Sequence, residues 1–556
     1  MTSPFLPLGR RVGVRRRVGA RRRAARLVGL LVVVCGVAVP VAGCGEASSR
    51  SGAGGDTDPA ALLPASAPVY VEAQVRPSGQ MAVNLDAVAG KVLGTSDPGA
   101  KVVGWIDGAL EGSGASYAKD VAPWLGARAG VAVMSVGGGG GAGGSPRDVD
   151  VVGAVASRDD DAAQKFVDGR RGAVDREYRG VKYTYDAGRD VAAAVIDHAV
   201  VVGTERGFKS AVDAQSGAKL ADSASFKKAR ATVGTAGAGF AYADPARFFD
   251  MVAGAAAGGS GKLSQGSASA SSLQMLKGLL AGSGLESVAA SLNVAKDALQ
   301  VDAAAIGVKA PVGRGDGDGP AAAAAVPAGA WLSVGIGDVG STLATALQGV
   351  RGGAGIDPSV LLKSLGSQFG IDVQKDLLSW MGDAALFVRG TSMSSLNGAL
   401  VVTSKDPAAS AAAIPKLRTL LKSLNVKVGE LSSSAPSGAL GFSIDAGSSV
   451  PSKIEVATKD DKFAIAIGPG ALHDALAPPS HLSDSDPFRA AASLLGDTKP
   501  SIFLDTPQVV KLLSSLAGNN KHFQNARPAL EAFGPAAAGL SSSGDVTRLK
   551  AAVSVP

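Results

Sequence analysis

Few residues in this 556-residue chain have the type and spacing that chemistry needs. Its four histidines are His198, His473, His481 and His522. None lies three or four residues from another, so no helical face offers the paired imidazoles of a metal site. Ser116-Tyr117-Ala118-Lys119 and Ser225-Phe226-Lys227-Lys228 match the S-x-x-K spacing that puts a lysine one turn from a nucleophilic serine. Acyl-serine enzymes add a K-[ST]-G strand, which the chain lacks, as it lacks a G-x-S-x-G elbow. Gly335-Ile336-Gly337-Asp338-Val339-Gly340 matches G-x-G-x-x-G, but such a loop cradles a dinucleotide only within a strand–helix–parallel strand unit. The glycine run Gly137 to Pro146 reads as a hairpin connector. Asp316 and Asp318 sit in "RGDGDG" without the closing glutamate of a calcium loop, and are expected to be solvated. No catalytic residue, metal site or cofactor is assigned.

The two cysteines, Cys35 and Cys44, point to address rather than activity. Residues 1–26 hold nine arginines and no acid, and Leu27 to Val39 is a run of thirteen apolar or glycine residues. A basic start, a short apolar middle and small residues behind it make a secretory signal. The run is too short for a membrane span, which needs about 20 residues. Val41-Ala42-Gly43-Cys44 resembles the bacterial lipobox. The resemblance implies cleavage between Gly43 and Cys44 and a diacylglycerol on the Cys44 sulfur, which with further acylation anchors a chain stably. Residues 1–43 are then the signal peptide, and the mature chain has no thiol beyond the acylated one. The arginine pairs leave the choice between general and twin-arginine export open.

Export also changes the charge. The chain carries 55 Lys+Arg and 48 Asp+Glu; removing the nine signal arginines leaves 46 basic residues, a net charge of −2. The basic excess belongs to the discarded segment, so nucleic acid is not a partner. Residues 44–64, rich in Gly, Ser, Ala, Asp and Pro, read as a flexible tether.

Beyond the tether the sequence repeats itself. Gly114 to Met134 and Gly370 to Gly390 align without a gap, pairing Lys119 with Lys375, Asp120 with Asp376, Trp124 with Trp380 and Gly126 with Gly382. Further blocks match in the same order, including Phe226 against Phe488, and His198 is placed opposite Phe463. Two tandem copies are expected at 65–310 and 325–556, joined by a Gly/Pro/Ala linker at 311–324. In each copy a short strand leads to helices, a Trp-bearing turn and a series of strands. Asp120 and Trp124 share one helix face, while Asp244-Pro245 and Asp505-Thr506-Pro507 fit helix starts. The expected class is α+β: two tandem homologous domains, each a mostly antiparallel sheet with packed helices. Aromatic residues are few, so Trp124 and Trp380 read as core anchors.

The lipobox, the tandem copies and the K-D-x-x-x-W-x-G turn before a strand together resemble a family of bacterial lipoproteins classed as a domain of unknown function (family 3352). The Ala, Gly, Val and Arg content resembles an actinomycete-type proteome. The family implies no activity and no functional residues. The expectation is a non-enzymatic protein held by Cys44 on the outer face of the cytoplasmic membrane, binding a protein or envelope component. The alternative is a carrier of an apolar, lipid-like ligand, and a cell-wall hydrolase stands third.

Overall fold

The computed structural model describes residues 56–110, 114–136, 149–234, 237–258, 283–308, 317–349, 372–445 and 452–556. Gly43, Cys44, the run Gly137 to Pro146 and Asp316 lie outside them.

The first ten strands are β1 (Val69–Gln74), β2 (Leu125–Val136), β3 (Val149–Ser157), β4 (Val174–Tyr178), β5 (Val181–Asp186), β6 (Val191–Ile196), β7 (Ala199–Gly203), β8 (Gly239–Ala243), β9 (Ser287–Ala295) and β10 (Ala298–Ile306). They pair in the order β4-β5-β6-β7-β3-β2-β1-β8-β9-β10, every neighbour antiparallel. The next ten are β11 (Leu332–Ile336), β12 (Met381–Arg389), β13 (Asn397–Ser404), β14 (Val428–Gly429), β15 (Leu440–Ile444), β16 (Ile454–Lys459), β17 (Lys462–Ile467), β18 (Ile502–Leu504), β19 (Ala536–Ser543) and β20 (Val546–Ser554). Adding ten to each number in the first order gives theirs. β10 then pairs antiparallel with β20 through nine residue pairs, so one sheet of 20 strands runs through the described residues.

Helices cover both faces of the outer strands. On face A, Phe208 of α4 (Glu205–Gln215) and Phe226 of α5 (Ala224–Val233) pack on Tyr70, Val201 and Phe240. The matching cluster in the other half sets Leu472 of α10 (Ala471–Leu476) and Phe488 of α11 (Asp486–Ser493) on Phe387 and Phe503. On face B, Trp124 packs with Ala163 and Val167 of α3 (Asp160–Asp168). There Trp380 packs with Phe463 and with Ala413 and Ile414 of α9 (Pro407–Ser423).

The two tryptophans are 3% and 1% exposed, as core anchors should be. Each indole N–H donates to a backbone carbonyl four residues back, Asp120 O at 2.7 Å and Asp376 O at 2.8 Å. The turn that carries them, Tyr117–Val121 or Val373–Leu378, is π-helical rather than the α-helix expected from a spacing of four. The wider turn still leaves the carbonyl in reach of the indole.

Two expectations are corrected. Gly319–Ala324, placed in the linker, forms helix α7; Ala323 is fully buried against β11. Gly/Ala/Pro composition reads the same in a linker and in a helix packed through small residues. The Asp318 side chain is 52% exposed, as expected, and it also caps α7 by accepting from Ala321 N at 3.0 Å, while its own N–H donates to Asp383 Oδ2 at 3.0 Å. His198 does not oppose Phe463. It sits in the β6–β7 turn at φ +60°, its carbonyl accepting from Ser157 N, and the residue doing this for Ser404 N is Asp461. Asp244 caps α6 (Pro245–Gly258) by accepting from Arg247 N. Asp505 precedes α12 (Thr506–Ala517) without a side-chain cap bond.

Candidate functional site

Alternation along the central strands separates two unlike faces. On face A, β10 and β20 carry Gln300, Asp302, Arg548 and Lys550, between the two aromatic clusters. On face B the same strands carry Leu299, Val301, Ala303, Leu549, Ala551 and Val553. The apolar character continues outward through Val288, Ala290, Leu292 and Val294 of β9 and through Ala536, Ala538 and Leu540 of β19. It reaches β18 and β11 at Ile502, Leu504, Leu332 and Val334. Thr547 and Ser542, paired at one end, are the polar exceptions among these six strands. Yet none of these side chains is buried. Val288, Val301 and Leu540 are 37%, 36% and 43% exposed. An apolar surface of this extent left partly wet is unlike a finished core.

A helical layer stands over it. Helix α1 (Gly79–Leu93) is tied to the sheet by polar contacts: Asn84 Nδ2 donates to Val294 O at 2.9 Å, and Lys91 Nζ to Asp297 Oδ1 and Val555 O, both at 2.8 Å. Helix α2 (Pro98–Leu110) packs Val103 and Ile106 against the Trp124 cluster. Helix α13 (Lys521–Glu531) lies against α1 and α12, and buries none of its residues. The layer shows its own apolar side chains to solvent: Val83 at 59%, Trp105 at 42%, Leu513 at 37% and Leu516 at 51%. The same helices bury Leu85, Val88 and Ala89 of α1 and Val510 and Leu512 of α12, so the layer is packed in part and leaves the rest of its apolar side chains in solvent.

Charged groups cluster elsewhere. Tyr70, on face A, donates to Glu72 Oε2 at 2.8 Å; Arg128 Nη1 meets Oε1 at 3.3 Å, and Arg230 binds both Glu72 and Asp58. Burial, with the Glu72 charge adding, pushes the Tyr70 hydroxyl well above its usual range. Strand register puts Gly335 where the first half has Glu72, Ser333 where it has Tyr70 and Asp383 where it has Arg128. The network therefore belongs to one half. Its signal in the sequence is faint: Glu72, two residues from Tyr70 in "VYVEAQV", puts an acid on the core side of a strand.

The G-x-G-x-x-G segment lines a polar cleft of about 340 Å³ with Gln374, Ser379 and Lys405. Asp338 within it has φ +41°. Lys405 Nζ at 2.7 Å, aided by Ser341, holds its carboxyl below the usual range. β11 ahead of the loop pairs antiparallel with β12 and β18, so the parallel partner of a dinucleotide fold is missing from its neighbours. Ser116 Oγ and N meet Asp120, not Lys119; Ser225 bonds Tyr242 and Ser223, while Lys228 pairs with Asp545. The structure thus brings neither S-x-x-K pair into contact. His198 meets Asp160 at 2.6 Å, His473 meets Asp474 at 3.5 Å and His481 meets the Ala325 carbonyl at 2.9 Å. No group of three metal-binding side chains occurs among the described residues. No helix among them is long and apolar enough to cross a membrane.

No curated protein matches the sequence. Among solved structures, crystal forms IV, III and I of TP0453 align with 45–47% of this chain and 81–82% of theirs, at 9–10% identity and a TM-score of 0.24. A likeness of that size supports no inference of fold or function. The family comparison is decisive where these are not: a single family model spans residues 25–553, and the chain belongs to the family described as Protein of unknown function (DUF3352).

Proposed function

We propose that the chain is a non-enzymatic, extracytoplasmic binding protein, anchored through Cys44 to the outer face of the membrane, whose ligand is apolar and lipid-like. The expectation of a protein or envelope partner and that of an apolar carrier are both binding readings, and face B favours the second. The observation that carries it is that six central strands present an almost purely apolar face of which no side chain is buried. Acyl chains match such a surface, because each buried CH₂ contributes about 0.8 kcal/mol and requires no hydrogen-bond partner. The repeated strand order fits two tandem copies whose junction, β10 with β20, doubles the width available to one ligand.

Native mass spectrometry of protein purified from its own host tests the reading. A co-purifying species of defined mass is expected. It should diminish at least tenfold in Val301→Lys, which sets an ammonium in the middle of the face. An apo mass in both proteins, together with no uptake of a fluorescent fatty acid, overturns it.

A further inference from the structure

We propose that the strand ends carrying the β9–β10 turn and the start of β19 face the bilayer, with the seam between α1 and α13 turned toward the lipid. This rests on the anchor and ligand reading above. The chain enters the described fold at a fixed point. Arg128 Nη2 donates to the Asp56 carbonyl at 2.8 Å, and Arg230 Nη1 to Asp58 Oδ2 at 2.6 Å. Arg128 pairs in register with Gln74, where β2 begins and β1 ends. In an antiparallel sheet β8 begins, β9 ends and β10 begins on that same side, and β20 ends and β19 begins there too.

Lengths decide which end the anchor favours. From β2 across β1 and β8 to β9 is three strand spacings, about 14 Å. The opposite strand end lies about 30 Å away, the length of a nine-residue strand such as β10. Twelve residue steps separate Cys44 from Asp56. A Gly/Ser-rich segment of that length has a root-mean-square span of about 20 Å. The near end lies within that span, and the far end comes to the bilayer only by drawing the tether toward full extension. Helix α1 is fastened at this near end by Lys91, and beside it runs α13, which buries nothing. Val83 of α1, 59% exposed, is a natural reporter there. A helix with no buried residue thus sits at the end the anchor brings to the lipid.

The acylated full chain on phosphatidylglycerol-containing vesicles tests this. With Cys44 acylated, a single introduced cysteine takes a fluorophore cleanly. Val83→Cys is expected to be quenched several-fold more by a headgroup-attached spin label than Ser543→Cys, which marks the β19–β20 turn at the far end. Adding about 30 Gly/Ser residues between Gly54 and Gly55 is expected to erase most of the difference. Equal quenching, stronger quenching at position 543, or none at either overturns the orientation. Native mass measured on the same variants keeps the two ideas apart. Asymmetric quenching without a co-purifying lipid sinks the ligand reading and leaves the orientation standing.

Discussion

Glu72 shows how one residue organises a region. It is 8% exposed and accepts from Tyr70, Arg128 and Arg230, while Arg230 also stacks over Phe226 and Phe240. Glu72→Ala leaves two largely buried guanidinium groups facing a hole. Removing one partner of a buried ion pair costs about 3–5 kcal/mol, and urea unfolding should show a loss of that size. A shift below about 1 kcal/mol would mean that Asp58 alone holds both arginines. Glu205 gives a pH-dependent counterpart. Burial alone raises its carboxyl, but hydrogen bonds from Lys209, Tyr183 and Arg176 overcome this and lower it to about 2. Its folded pKa lies below its unfolded value, so its contribution is present above the unfolded value and is lost as pH falls from about 5 toward 2. Glu205→Gln should flatten that part of the stability–pH profile, measured by thermal melts across the range. An unchanged profile would assign the acid sensitivity to other carboxylates. Of these sites, Glu72 was legible as an acid spaced on the core side of a strand. Arg128 and Arg230 were not, because their partners lie 56 and 158 residues away.

At the scale of elements, reading came easiest where side chains repeat a demand. The K-D-x-x-x-W-x-G turns were legible because each needs a large buried ring, a carbonyl for its N–H and a strand directly after it. Helix α7 was not legible, because it packs through the absence of side chains. A Cβ on Gly335 would run into the Gly319 carbonyl and crowd Ala323, and one on Gly319 would meet Gly337 N at 2.8 Å. The segment read as a dinucleotide loop or a plain turn is thus the seat of a close helix–strand contact. Gly335→Ala should lower stability by about 1–3 kcal/mol through overpacking. Gly329→Ala is a poor control because φ there is +81°, whereas Gly254, with open space around its Cβ position and helical backbone, should tolerate alanine. Similar midpoints for Gly335→Ala and Gly254→Ala in chemical denaturation would argue against the close contact.

The whole molecule raises a question of cooperativity that the repeat in the sequence could not answer. Tandem copies predict two units, each free to unfold alone. The sheet joins them through nine β10–β20 pairs, as many as link β9 to β10 within one half. Side chains add to the join: Gln300 Nε2 donates to Leu494 O at 3.0 Å, Lys228 meets Asp545 at 2.7 Å, and Lys91 reaches Val555 O. Central strands with a partner on each side cannot lose one half without baring the edge of the other. The halves are therefore expected to unfold as one. The chain carries Trp105 and Trp124 in the first ten-strand series and Trp331 and Trp380 in the second, so each half can report separately. Variants that keep only Trp124 or only Trp380, with the other three changed to Phe, should melt at coincident midpoints. Glu72→Ala supplies the stronger test, since it damages the first half alone. If the sheet is a single cooperative body, Trp124 and Trp380 will report the same lowered midpoint. If the Trp380 transition stays in place while that of Trp124 falls, the β10–β20 ladder is a contact between independent units, and the apolar face that spans it must be able to divide.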